Sequence, residues 1–112
     1  MKKNKNKATT NPGDDLEITK VEPRTMGMPG VWVTGTTNGH KFQALVFKDH
    51  AECAEYELGE SRISKLWLLC MTTDRVVYNF DRGLDIAPQT KAAANIVGFL
   101  CEGIADLAFA GE

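Results

Sequence analysis

Apolar and polar residues alternate strictly on either side of Asn38-Gly39, and this period of two predicts a β-hairpin closed by a two-residue type I′ turn. With Asn38 and Gly39 at its centre, the turn sets Thr37 opposite His40, Gly35 opposite Phe42, Val33 opposite Ala44 and Val31 opposite Val46. One face of the hairpin is then Val31, Val33, Gly35, Phe42, Ala44 and Val46, with the Phe42 ring covering the side-chain gap at Gly35. The other face carries Trp32, Thr34, Thr36, Lys41, Gln43, Leu45 and Phe47, polar near the turn and apolar at the open end.

A second hairpin follows the same logic. Ile63, Lys65, Trp67 and Leu69 alternate with Ser64, Leu66, Leu68 and Cys70, and Met71 to Asp74 turn the chain into a strand over 75–81. A four-residue loop with regular pairing places Leu69 opposite Val76, Trp67 opposite Tyr78 and Lys65 opposite Phe80. Upstream, Leu16 and Ile18 alternate with Glu17 and Thr19, which predicts a short edge strand ending near Glu22-Pro23.

From residue 91 the period changes. Ala93, Ile96, Val97, Leu100, Ile104, Leu107 and Ala108 fall at spacings of three and four, the stripe of an amphipathic helix. Two starts fit it: Pro88 at the first helical position, or Thr90 as N-cap with the helix beginning at Lys91. These elements combine into an α+β fold, a four- to five-stranded antiparallel meander with one long C-terminal helix on one face. Phe99 and Phe109 fall outside the stripe and widen the apolar surface of the helix, which points to a homodimer or to cover for the sheet margin.

Residues 1–14 have no apolar period and carry Lys2, Lys3, Lys5 and Lys7, so they read as a disordered basic tail before a single domain over 15–112. The tail hides the charge of the rest. Removing its four lysines from the 13 Lys+Arg leaves nine against 15 Asp+Glu, a formal balance of −6 for residues 8–112 beside −2 for the whole chain. An acidic domain disfavours broad nucleic-acid binding, which rests on cationic contacts to phosphate. The three cysteines lie in no metal-ligand or disulfide spacing. No apolar run reaches the roughly 18 residues a membrane span needs. The expectation is a cytoplasmic protein with no cofactor and no membrane partner.

The runs Val31 to Phe47, Glu55 to Trp67 and Val77 to Asp85 together resemble a family of small uncharacterised proteins of Gram-positive bacteria and their phages or plasmids. The resemblance extends to about Leu100 and implies one compact domain of mobile-element origin. It carries no activity or catalytic residue.

Candidate chemistry is sparse. His40 at a hairpin tip and His50 in an acidic loop are not placed by any motif beside a serine or cysteine, so no catalytic constellation is expected. Candidate partner-binding residues fall in three groups. Trp32 and Phe47 form an apolar patch on the open hairpin face unless the loop over 49–60 or the N-terminal strand folds over them. Glu52, Glu55, Glu57 and Glu60 lie in that loop, which lacks the ligand spacing of a calcium site and reads as exposed and acidic. Asp81, Arg82 and Asp85 sit where the second hairpin runs toward the helix, with Arg82 available to a carboxylate. In the structural alternative Asp81 closes the strand, Gly83 supplies a positive φ and Asp85 accepts N–H groups near the helix start.

These features predict a non-enzymatic protein-interaction module, borne by a phage or plasmid and acting on a host protein through an acidic surface. The alternative is a nucleic-acid binder that uses the lysine tail and the sheet aromatics.

Overall fold

The structure is a computed structural model and describes residues 14–110. Six antiparallel strands lie side by side in chain order: β1 (Glu17–Pro23), β2 (Val31–Thr37), β3 (His40–Val46), β4 (Ile63–Cys70), β5 (Arg75–Asp81) and β6 (Leu84–Ile86). Among the described residues one α-helix, α1 (Lys91–Ala108), packs on one face. This is the expected α+β meander, with six strands in place of four or five. The extra strand is β6, which forms because the chain reverses at Arg82-Gly83 and pairs back on β5 before it reaches the helix. The expected disordered tail lies outside the described residues except for Asp14.

The first hairpin has the register that Asn38-Gly39 dictates, from Thr37 opposite His40 to Val31 opposite Val46. Both turn residues adopt positive φ, 52° and 73°, as a type I′ turn requires. The Asp15 carboxylate fastens β1 to this turn by accepting hydrogen bonds from Thr37 Oγ1 (3.1 Å) and the Asn38 N–H (2.9 Å).

The second hairpin departs from regular pairing. Leu69 lies opposite Val76 as expected, but Leu68 then pairs with Tyr78, leaving Val77 as a one-residue β-bulge. Trp67 therefore faces Asn79, not Tyr78, and Lys65 faces Asp81, not Phe80. The physical reason is burial. A regular register would put Tyr78 and Phe80 on the face opposite Leu66 and Leu68, whereas the bulge brings all four into the core with Val77. Burying one such ring is worth about 1.5–3 kcal/mol, far more than an ideal ladder pair. Burial, together with the neighbouring Cys101, pushes the Tyr78 phenol up to about 12.

The helix begins at the second of the two starts the sequence allows. Thr90 is the N-cap, and its hydroxyl accepts from the Ala93 N–H at 3.0 Å. Ala93, Ile96, Leu100 and Ile104 are buried on the sheet, joined by Ala105. Leu107, expected in the stripe, is instead 45% exposed near the helix end. Phe99 and Phe109 both pack, partly buried, against the domain's own core, which gives each a partner without a second chain.

One substitution tests the sheet packing. A Cβ built at Gly35 would lie 2.5 Å from the Glu17 carbonyl oxygen and 2.9 Å from Phe42 Cζ. Gly35→Val should therefore push β1 off the sheet edge and destabilise the domain by about 1–3 kcal/mol, read as a lower urea midpoint.

Candidate functional site

The acidic segment after β3 is a folded wall organised by one carboxylate. The Glu57 side chain is only 5% exposed, because the loop closes around it. Its oxygens accept from the Ala51 N–H (2.7 Å), the Arg62 N–H (2.9 Å) and His50 Nδ1 (2.7 Å). Enclosure alone would raise the carboxyl pKa, but the bond from His50 and those from the two backbone donors outweigh it and hold the group below its ordinary 4.5. Since a carboxylate can only accept, His50 Nδ1 is the donor in this bond.

Arg62 ties this loop to the rest of the fold. It sits at φ +66°, an uncommon conformation for a side chain of its size, and its carbonyl accepts from the Phe47 N–H at 2.9 Å. Its guanidinium donates to the Lys48 carbonyl at 2.8 Å and pairs with Asp106 on α1. The end of β3, the start of β4 and the last turns of the helix are thus held together.

Arg82 reaches the same place from β5. The turn that carries it puts Arg82 at φ +52° and Gly83 at φ +147°, and the Arg82 N–H donates to the Ser64 carbonyl at 2.9 Å. Its guanidinium lies 5.7 Å from the centre of the Tyr56 ring, a cation–π contact. Between these segments opens a cleft of about 490 Å³, walled by Phe47, Tyr56, Ile63 and Phe109, with Arg82, His50 and Glu57 around it. Ser64 also lines the cleft; it is 8% exposed, and its hydroxyl has no hydrogen-bond partner among the described residues. Several large apolar side chains stay exposed in the segments that bound the cleft: Met28 ahead of β2, Tyr56 in the loop and Leu84 beyond Arg82. The arrangement suits an apolar group seated against aromatic walls with polar contacts at its edge.

The candidates from the sequence are divided among different places. Phe47, Glu57 and Arg82 meet at the cleft, although the Glu57 carboxylate is used within its own loop. Glu52, Glu55 and Glu60 are exposed. Trp32 is separate from Phe47, because Leu45 between them is 2% exposed and lies under the connection ahead of β2, close to Gly30 and Arg24. Trp32 instead lines a shallow groove on the open sheet face with Asp81. Asp81 pairs with Lys65 at 3.6 Å, and Asp85 accepts from Asn79 Nδ2 at 3.0 Å rather than from the helix start. Arg82 meets an aromatic ring instead of a carboxylate. The contacts of His50 and Tyr56 are not readable from the sequence: the Glu57–His50 spacing of seven lies in irregular chain, and nothing local links Tyr56 to Arg82.

Among the described residues, no three His, Cys, Asp or Glu side chains are grouped so as to hold a metal ion, and no helix is long and apolar enough to cross a membrane. A family model described as Domain of unknown function (DUF7678) matches residues 31–105, from the first residue of β2 into the last turns of α1. No curated protein and no solved structure matches the chain at a significant level.

The Glu57 network carries a pH signature. A carboxyl whose pKa is lowered on folding stabilises the fold above its ordinary 4.5, and that contribution is lost as the pH falls through the lower folded value. Glu57→Gln, which removes the charge and leaves one amide group facing donors, should cost about 1–3 kcal/mol at neutral pH. In urea titrations the gap between variant and wild type should narrow as the pH drops below 4.5.

Proposed function

The chain belongs to that family of unknown function, and on the geometry of its cleft we propose that it is a non-enzymatic protein-interaction module. The observation that carries this reading is the aromatic cleft with exposed Met28, Tyr56 and Leu84 in the segments around it. Exposed apolar surface bounded by polar residues is the usual mark of a partner site, and flexible Met side chains adapt to varied apolar surfaces. An apolar side chain of the partner fills the space between Phe47, Tyr56 and Phe109. Basic residues flanking that anchor meet the exposed carboxylates Glu52, Glu55 and Glu60, in keeping with the acidic balance of residues 8–112. The resemblance to proteins of phages and plasmids supports a protein of the host cell as the partner.

Selection of random peptides displayed on a surface, with the purified protein as bait, tests the proposal. The enriched sequences should combine one large apolar residue with neighbouring Lys or Arg. Their affinity should weaken with added salt and fall by about tenfold or more for Tyr56→Ala, a substitution at an exposed ring. Failure to enrich any sequence over the Tyr56→Ala background would overturn the reading.

A further inference from the structure

The sheet face opposite the helix carries a second site, independent of the cleft. On it Trp32 from β2 and Trp67 from β4, both partly buried, stand on either side of Gln43 on β3 and frame a groove of about 250 Å³. Lys65, Leu66, Asn79, Phe80 and Asp81 complete its lining. The β5 bulge creates this arrangement: the same slip that sends Tyr78 and Phe80 into the core turns Asn79 and Asp81 outward beside Trp67 and Lys65.

The polar groups of the groove are balanced in charge and rich in both donors and acceptors. Lys65 is paired with Asp81 at 3.6 Å, and Lys20, on the neighbouring edge strand, is paired with Glu22 at 3.3 Å. Asn79 Nδ2 donates to Asp85, which leaves Oδ1 as an acceptor. The Gln43 amide is exposed and has no hydrogen-bond partner among the described residues, so both its donor and its acceptor are available. A phosphate would meet Asp81 and Asp85 and find no unpaired cation in the lining, which argues against a nucleic-acid strand. A ligand that complements two indole faces, two amides and one neutralised ion pair is itself uncharged, with flat apolar C–H faces and a rim of hydroxyls. A pyranose ring has that character.

We propose that the Trp32–Trp67 groove binds one ring of a neutral oligosaccharide, the ring stacking on the indoles while its hydroxyls bond to Gln43, Asn79 and the Lys65–Asp81 pair. At about 250 Å³ the groove is smaller than the roughly 300–1,000 Å³ of drug-sized pockets, so it holds one sugar unit while the rest of the chain runs across the sheet.

The protein is suited to a direct test, because Trp32 and Trp67 are its only two tryptophans and its indole emission reports on this groove alone. Cellohexaose, chitohexaose and maltohexaose are titrated separately while emission and binding heat are followed. At least one should give a saturable blue shift with matching heat. Trp67→Ala should weaken that binding by about tenfold or more, and Gln43→Ala should weaken it several-fold, with unchanged urea midpoints showing that both variants fold. The proposal is overturned if none of the three sugars gives a saturable change up to about 10 mM. It is equally overturned if Trp67→Ala binds as well as wild type, or if a twelve-nucleotide oligothymidylate binds more tightly than every sugar.

Discussion

The cleft end of this domain depends on the desolvated carboxylate of Glu57. A loop of this composition, with Asp49, Glu52, Glu55, Glu57 and Glu60 between two strands, would by charge repulsion alone stay open to water. Glu57 reverses that tendency because the backbone N–H groups of Ala51 and Arg62 and the ring of His50 all converge on it. A buried carboxylate so satisfied gains charge-assisted bonds that an exposed one lacks, and removing it would leave its donors unpaired. From that node Arg62 extends the constraint to α1 through Asp106 and to β3 through Phe47. The Tyr56 ring, one residue before Glu57, is then in place for Arg82 to lie over it, and the cleft has a fixed wall.

Much of the scaffold was legible in the sequence because local rules set it. Asn38-Gly39 fixes the β2–β3 register, and Thr90 closes the first turn of the helix by hydrogen-bonding. The β4–β5 pairing was not legible, since a bulge inserts no residue type of its own and is chosen by what it buries. The hint lay in the demand that Leu66, Leu68, Tyr78 and Phe80 share one face, a condition that regular pairing across a four-residue turn cannot meet. β6 was hidden for a related reason. A strand of three residues has too short an alternation to read, and only the positive φ at Arg82 and Gly83 reveals the reversal that makes it.

The candidate site was legible in its members but not in its grouping. Phe47, Glu57 and Arg82 stood out as an apolar residue at the open end of a hairpin face, an acid in a dense run and a cation at a turn. Their meeting at one end of the sheet follows from the meander, which returns the end of β3, the start of β4 and the end of β5 to the same end. Trp32 was grouped with Phe47 by alternation. The connection ahead of β2 separates them by covering Leu45, and Trp32 falls instead beside Gln43 and Trp67 on the open face. The two halves of the molecule thus differ in character: an aromatic cleft edged by charged groups of both signs at the sheet end, and a charge-balanced aromatic groove across the strands.

Glu57 makes the acidic loop a fixed wall of the cleft. Amide hydrogen exchange at neutral pH tests it most directly, residue by residue. The Ala51 and Arg62 amides should be protected in the wild type, since each donates to the Glu57 carboxylate, while the amides of Glu52 and Glu55 exchange as exposed ones do. Exchange at Ala51 and Arg62 as fast as at Glu52 and Glu55 would contradict the account.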